Sequence, residues 1–147
     1  MEASDYISAV ALVIASLAAL YARWSARAAE KSNSISLHST KLEIYLELRK
    51  FQKCFKGYQA YPDENSIDIF YEKSVVLSEI FFDPETASEF NDVYDSCWQK
   101  SRQINGYENE EGEDEFHSEM KIEFNEICGS QVESLSNKLR ESLRINA

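Results

Sequence analysis

Between Tyr6 and Ala22 no charged side chain interrupts the chain, and this 17-residue run limits what the rest of it can be. As a helix the run is about 25 Å long, at the short end of what a bilayer core of about 30 Å accepts. Ser8 and Ser16 are the only small polar residues inside it, and a helical serine can bond back to the carbonyl one turn earlier. Tyr6 at one end, and Tyr21 with Trp24 at the other, put amphipathic rings where membrane interfaces would lie. A membrane span is the first reading, with Tyr6, Val10, Ile14, Leu17, Tyr21 and Trp24 as its bulky side. Two readings compete with it. LAALYARWSARA contains small-residue patterns that imitate a secretory cleavage site, but the preceding MEASD is acidic where such a signal needs bases. A buried core helix is the third.

Charge placement separates these readings. The first 22 residues carry two acids and no base; residues 23–58 carry eight Lys or Arg against three Glu; residues 59–147 carry seven against 21. Arg23, Arg27 and Lys31 directly follow the apolar run. By the positive-inside rule they are cytoplasmic-side anchors, with the N-terminal end outside and the remainder in the cytoplasm. The basic segment suits either anionic lipid headgroups or a solvated helix face. The acidic remainder is a poor match for phosphate, so no nucleic acid is expected as a partner.

The run has internal order. Ser8, Ala11, Ala15, Ala18, Ala22, Ser25 and Ala29 recur at alternating spacings of three and four, forming one small-residue stripe. Small residues let helix backbones approach closely in lipid, so Ser8, Ala11, Ala15, Ala18 and Ala22 are a candidate oligomer face. Simple abundance of Ala in an apolar helix gives the same pattern, and there is no GxxxG.

Beyond Trp24 the pattern is helical throughout, because four Gly and two Pro leave few places for tight turns. Ser32, Asn33 and Ser34 mark either a break or a continuing stalk. Leu37, Ile44, Leu48, Phe51, Phe55 and Tyr58 then form an amphipathic face, with Leu42 and Leu46 widening it and Gly57 and Pro62 closing it. Asp63 or Asn65 caps a helix carrying Ile69, Phe70, Val76, Leu77, Ile80 and Phe81. In FFDPE, Asp83 is an N-cap followed by Pro84 in the first helical position. The helix it opens places Ala87, Phe90, Val93, Tyr94, Cys97 and Trp98 on one face and ends near Asn105 and Gly106. Tyr107 to Glu115 is an acidic loop without calcium-loop spacing. A last helix carries Phe116, Met120, Phe124, Ile127, Val132, Leu135, Leu139 and Leu143, with Gly129 as a possible kink or split. The expected fold is all-α: a span over 1–24, a basic stalk over 25–40, and an antiparallel bundle of about four helices over 41–147.

Chemistry is sparse. His38 and His117 belong to no metal-binding pair, and no ExxH, phosphate-binding loop or GxSxG elbow is present. Cys54, Cys97 and Cys128 are odd in number and far apart in sequence, which fits reduced thiols in a reducing compartment. No catalytic, cofactor-binding or metal residue is expected, and no enzymatic activity.

Two segments carry a resemblance. In SISLHSTKLEIYLELRKFQ the residues are Leu37, His38, Leu42, Ile44, Tyr45, Leu48 and Phe51, with Lys41 at a basic position; in VVLSEIFFDPETASEF they are Glu79, Ile80, Phe81 and Phe82. Together with the apolar run they resemble a loosely defined group of uncharacterised bacterial and prophage-associated small membrane proteins. That resemblance implies a membrane-tethered helical protein of the bacterial inner membrane and no catalytic residue. The expected function is a tether whose bundle self-associates or docks a protein partner, as in a bacterial stress or phage-response system. The alternative is an oligomerising, membrane-perturbing effector or channel subunit, weakened by the lack of pore-lining groups beyond Ser8 and Ser16.

Overall fold

A computed structural model describes residues 3–57, 60–107 and 114–145, with side chains over 6–57, 60–106 and 118–143. Among them no strand forms, and the chain is all-α. Helix α1 runs Ala3–Gln52 and ends in a single 3-10 turn, Lys53–Phe55. Helix α2 (Glu64–Phe70), a π-helical turn (Tyr71–Val75) and α3 (Val76–Phe81) follow as one arm. Then come α4 (Pro84–Tyr107) and α5 (Asp114–Ile145). The chain divides into two units, Met1–His38 and Ser39–Ala147.

The first unit is helix alone. Ser32, Asn33 and Ser34 do not break it: each costs only a few tenths of a kcal/mol relative to Ala, and neither Gly nor Pro supports them as a stop. Every residue from 6 to 37 is exposed.

The second unit is a four-armed bundle in which each arm runs against the one before it. Lys41 lies over the ring of Phe82, and Phe51 stacks on Phe70 with centroids 4.4 Å apart, so α1 descends as the α2–α3 arm climbs. Asn105 donates to Glu64 and Asn91 to Glu79, which sets that arm against α4. Lys100 meets Glu123 at 2.6 Å, while Lys138 meets Glu89 at 2.5 Å and Glu85 at 3.4 Å; α4 and α5 are therefore antiparallel. The core joins Ile44, Leu48, Phe51 and Phe55 of the first arm to Ile67 and Phe70, then to Phe90, Val93, Cys97 and Ile104, and to Phe124, Cys128, Val132, Leu135 and Leu139.

Local signals hold at the caps. The Asp63 carboxylate accepts from Ser66 N–H at 2.8 Å, and that of Asp83 accepts from both the Thr86 N–H (3.0 Å) and its hydroxyl (2.9 Å). Those hydrogen bonds stabilise the ionised forms and hold both carboxyls below their ordinary value of 3.8. Their contribution is complete above the unfolded value and is lost as pH falls through the lower folded one. Urea midpoints should therefore drop between about pH 5 and about pH 3, and Asp83→Asn, which keeps an acceptor without the charge, should flatten that fall. Equal slopes in the two proteins would remove Asp83 from the account.

Four expectations about faces need correction. Leu42 and Leu46, expected to widen the α1 face, are 42% and 49% exposed, and Leu37 is 45% exposed. At about 100° per residue Leu42 and Leu46 point away from the line through Ile44, Leu48 and Phe51, while Leu37 belongs to the first unit. In the second arm Ile69, Val76 and Ile80 are exposed, and Ile67 and Val75 are buried instead. Ile67, Phe70, Ser74 and Ser78 recur at spacings of three and four on one side, with Ile69, Val76 and Ile80 on the other, and the wider spacing of the π-helical turn adds Val75 to the buried side. Leu77 and Phe81 do pack against it. In α5, Ile127 is exposed and its neighbour Cys128 takes the inward position.

Gly129 does not split α5, which runs unbroken through it. A Cβ there would meet Phe55 at 3.5 Å, ordinary contact distance, so the glycine sits where α1 and α5 approach closely. Tyr58, Phe116, His117 and the acidic loop expected over 107–115 lie outside the residues whose side chains are described.

Candidate membrane span and basic flank

The expected span residues Tyr6, Val10, Ile14, Leu17, Tyr21 and Trp24 all fall in α1 and are 57% to 69% exposed. Ile7, Leu12, Val13 and Leu20 are equally open, at 57% to 70%. At about 100° per residue these ten side chains cover more than half of the helix circumference, and the Ala and Ser residues of the small-residue stripe fill the remainder, so no charged face is left. An amphipathic surface helix would show one apolar stripe; a helix apolar all round must be enclosed. Covering a Val, Leu or Ile is worth roughly 1.5–3 kcal/mol each, so leaving the whole set in water would cost more than the roughly 5–15 kcal/mol that holds a typical domain folded. The helix contains an 18-residue apolar window, long enough to cross a membrane, none of which is buried.

Polarity inside the run is neutralised locally. Ser16 Oγ donates to Leu12 O at 2.8 Å, so its hydroxyl is already used by the helix. Tyr21 and Trp24 lie one turn apart, with ring centroids separated by 6.5 Å. Arg23, Arg27 and Lys31 follow on successive turns, all exposed. Among the described residues no carboxylate pairs with any of them.

Because α1 is unbroken, the small-residue stripe keeps its phase beyond the run. Ser8, Ala11, Ala15, Ala18, Ala22, Ser25 and Ala29 lie on one side of the helix, and Ser32 and Ser36 extend the same line. The residues of this extension are present in the sequence, but only an unbroken helix through Ser32–Ser34 brings them into line. No family model, curated protein or solved structure matches this chain.

The second unit offers little reactive chemistry. Among the described residues no group of three or more His, Cys, Asp or Glu could hold a metal ion. A cleft of 440 Å³ lies between the end of α1 and α5, with Arg49 and Lys56 on one wall and Glu126 and Glu133 on the other. Its opposed charges partly cancel. Asn125 in that cleft donates to Phe55 O at 2.9 Å and to Ala60 O, tying the chain after α1 to α5. That is a structural clamp for two backbone carbonyls.

Sequence separation concealed one juxtaposition. Cys97 and Cys128, 31 residues apart, are both fully buried, and their thiols face each other within hydrogen-bonding reach. The hydrogen bond to Cys128, then burial, push the Cys97 thiol above its ordinary value, whereas the hydrogen bond from Cys97 and, less so, the charge of Lys100 lower that of Cys128. No single-helix pattern could have revealed this pair, because its two members come from different arms.

Proposed function

We propose that Tyr6–Ala22 crosses a membrane once and tethers a helical interaction domain to it. The observation that carries this reading is an α1 run apolar on all sides with none of it buried. Lipid covers every side at once, which no single docking helix does. By the positive-inside rule, Arg23, Arg27 and Lys31 support a topology with the C-terminal unit on the cytoplasmic side of a bacterial inner membrane and the N-terminal end outside. The acidic bundle is then a docking module for a protein partner, and the small-residue stripe is where two copies of α1 pack together. Pore formation is disfavoured, because the Ser16 hydroxyl is bonded to its own helix and leaves little polarity to line a channel.

Alkaline carbonate extraction joined to protease protection tests the tether. Retention in the pellet is expected, with the bundle digested only after the cytoplasmic face is opened. Release into the soluble fraction would overturn the reading. Cross-linking of the same membranes should give a dimer that Ala15→Leu with Ala18→Leu reduces severalfold; unchanged ladders would reject the stripe.

A further inference from the structure

The α4–α5 hairpin brings two thiols together in the core. These helices are the most extensively packed pair of elements among the described residues. Their register is fixed on one side of the thiols by Lys100 with Glu123, and on the other by Lys138 with Glu89. Between those clasps Cys97 and Cys128 are each 0% exposed, on neighbouring antiparallel helices, with their side chains directed at one another. Cys54, the remaining cysteine, is half-buried in the groove between α1 and α2. We propose that Cys97 and Cys128 form an oxidation site, at which a small peroxide converts the facing thiols into an intramolecular disulfide that staples α4 to α5.

The chemistry balances without a metal or cofactor. The Cys128 thiolate attacks one oxygen of hydrogen peroxide, the O–O bond breaks, and Cys128 becomes a sulfenic acid as hydroxide leaves. The Cys97 sulfur then attacks the Cys128 sulfur; the S–S bond forms, the S–O bond breaks, and the thiol proton leaves with that oxygen as water. Two thiols lose two electrons, and one peroxide becomes two waters. Cys128 takes the first step because the hydrogen bond that Cys97 donates, and to a lesser extent the charge of Lys100, favour its thiolate. Cys97 resolves it, since the hydrogen bond it donates to Cys128, together with its burial, keeps that thiol protonated. Full burial makes the first step slow, as it waits for the hairpin to open. The second step is fast, because the partner sulfur is already in place. Once formed, the bond closes the loop between the two helices and restricts the unfolded chain.

The test uses the full-length chain in detergent micelles, at a temperature where its circular dichroism is native. After hydrogen peroxide, the chain is denatured in N-ethylmaleimide and digested without reductant. The expected result is loss of two of the three alkylatable thiols and a peptide pair joining Cys97 to Cys128, about 2 Da lighter than its reduced halves. Dithiothreitol should restore both thiols, and the oxidised chain should melt at a higher temperature. The proposal fails if both thiols stay free while Cys54 reacts, if either stops at sulfinic acid unlinked, or if the link appears only after the helices melt. In Cys97→Ser, a Cys128 sulfenic acid should be trapped by dimedone. No adduct in a variant with native circular dichroism would likewise overturn it.

Discussion

Replacing Ile14 by Arg is expected to strip the chain from membranes. Ile14 lies in the middle of the uncharged run and is 61% exposed in α1, so in the proposed topology its side chain meets the centre of the lipid. An arginine at the centre of an inserting helix costs roughly 2.5–3.5 kcal/mol, and the favourable contribution of Ile is lost as well. A total near 3–4 kcal/mol is a shift of roughly a hundredfold or more in the insertion equilibrium. The run is only 17 residues long, so it has little surplus apolar length to absorb that loss. Carbonate extraction is the measurement: most of the Ile14→Arg chain should appear in the soluble or aggregated fraction. Asn33→Arg, on the polar part of the same exposed helix, should remain in the pellet. An Ile14→Arg chain that resists carbonate as the parent does would remove the bilayer from the proposal.

Truncating Phe124 to Ala is expected to destabilise the bundle by about 3–5 kcal/mol, the usual range for a buried Phe. Phe124 is 0% exposed and stands edge-on to Phe55, with ring centroids 6.0 Å apart, and tilted against Tyr61 at 5.7 Å. Its neighbour Asn125 clamps the Phe55 and Ala60 carbonyls. Loss of the ring therefore opens a cavity where α5 holds both the end of α1 and the following loop. Against a domain stability of roughly 5–15 kcal/mol, such a loss is a large fraction of the whole. Urea unfolding followed by Trp98 fluorescence, in a Trp24→Phe background that removes the other tryptophan, should show a much lower midpoint with an unchanged slope. Phe124→Leu, which keeps most of the volume, should lose distinctly less. A Phe124→Ala change below about 1 kcal/mol would mean that this ring does not anchor α5.

The features legible from the sequence share one property: each is decided within a turn or two of helix. Asp63 and Asp83 cap their helices through residues three positions on, and Pro84 opens α4. The α4 face through Ala87, Phe90, Val93 and Cys97 reads directly from its spacing. The sequence is less decisive where several apolar faces compete. Ile69 and Val76 are as apolar as Ile67 and Val75, yet the buried side runs through Ile67, Phe70, Ser74 and Ser78, with Val75 added by the π-helical turn. Leu42 and Leu46 were as apolar as Ile44 and Leu48, and only the position of the neighbouring arms decided which pair faced the core.

By itself, then, the sequence determined the all-helical class, the helix starts and an apolar run with a basic flank, because these depend on capping bonds, propensity and charge order along the chain. The tertiary structure alone decided that Ser74 rather than Val76 is buried, that Asn125 clamps the chain after α1, and that Cys97 lies against Cys128. Those outcomes require arms distant in sequence to pack side by side, and helical periodicity carries phase within one helix but no information about which other helix will fill the space beside it.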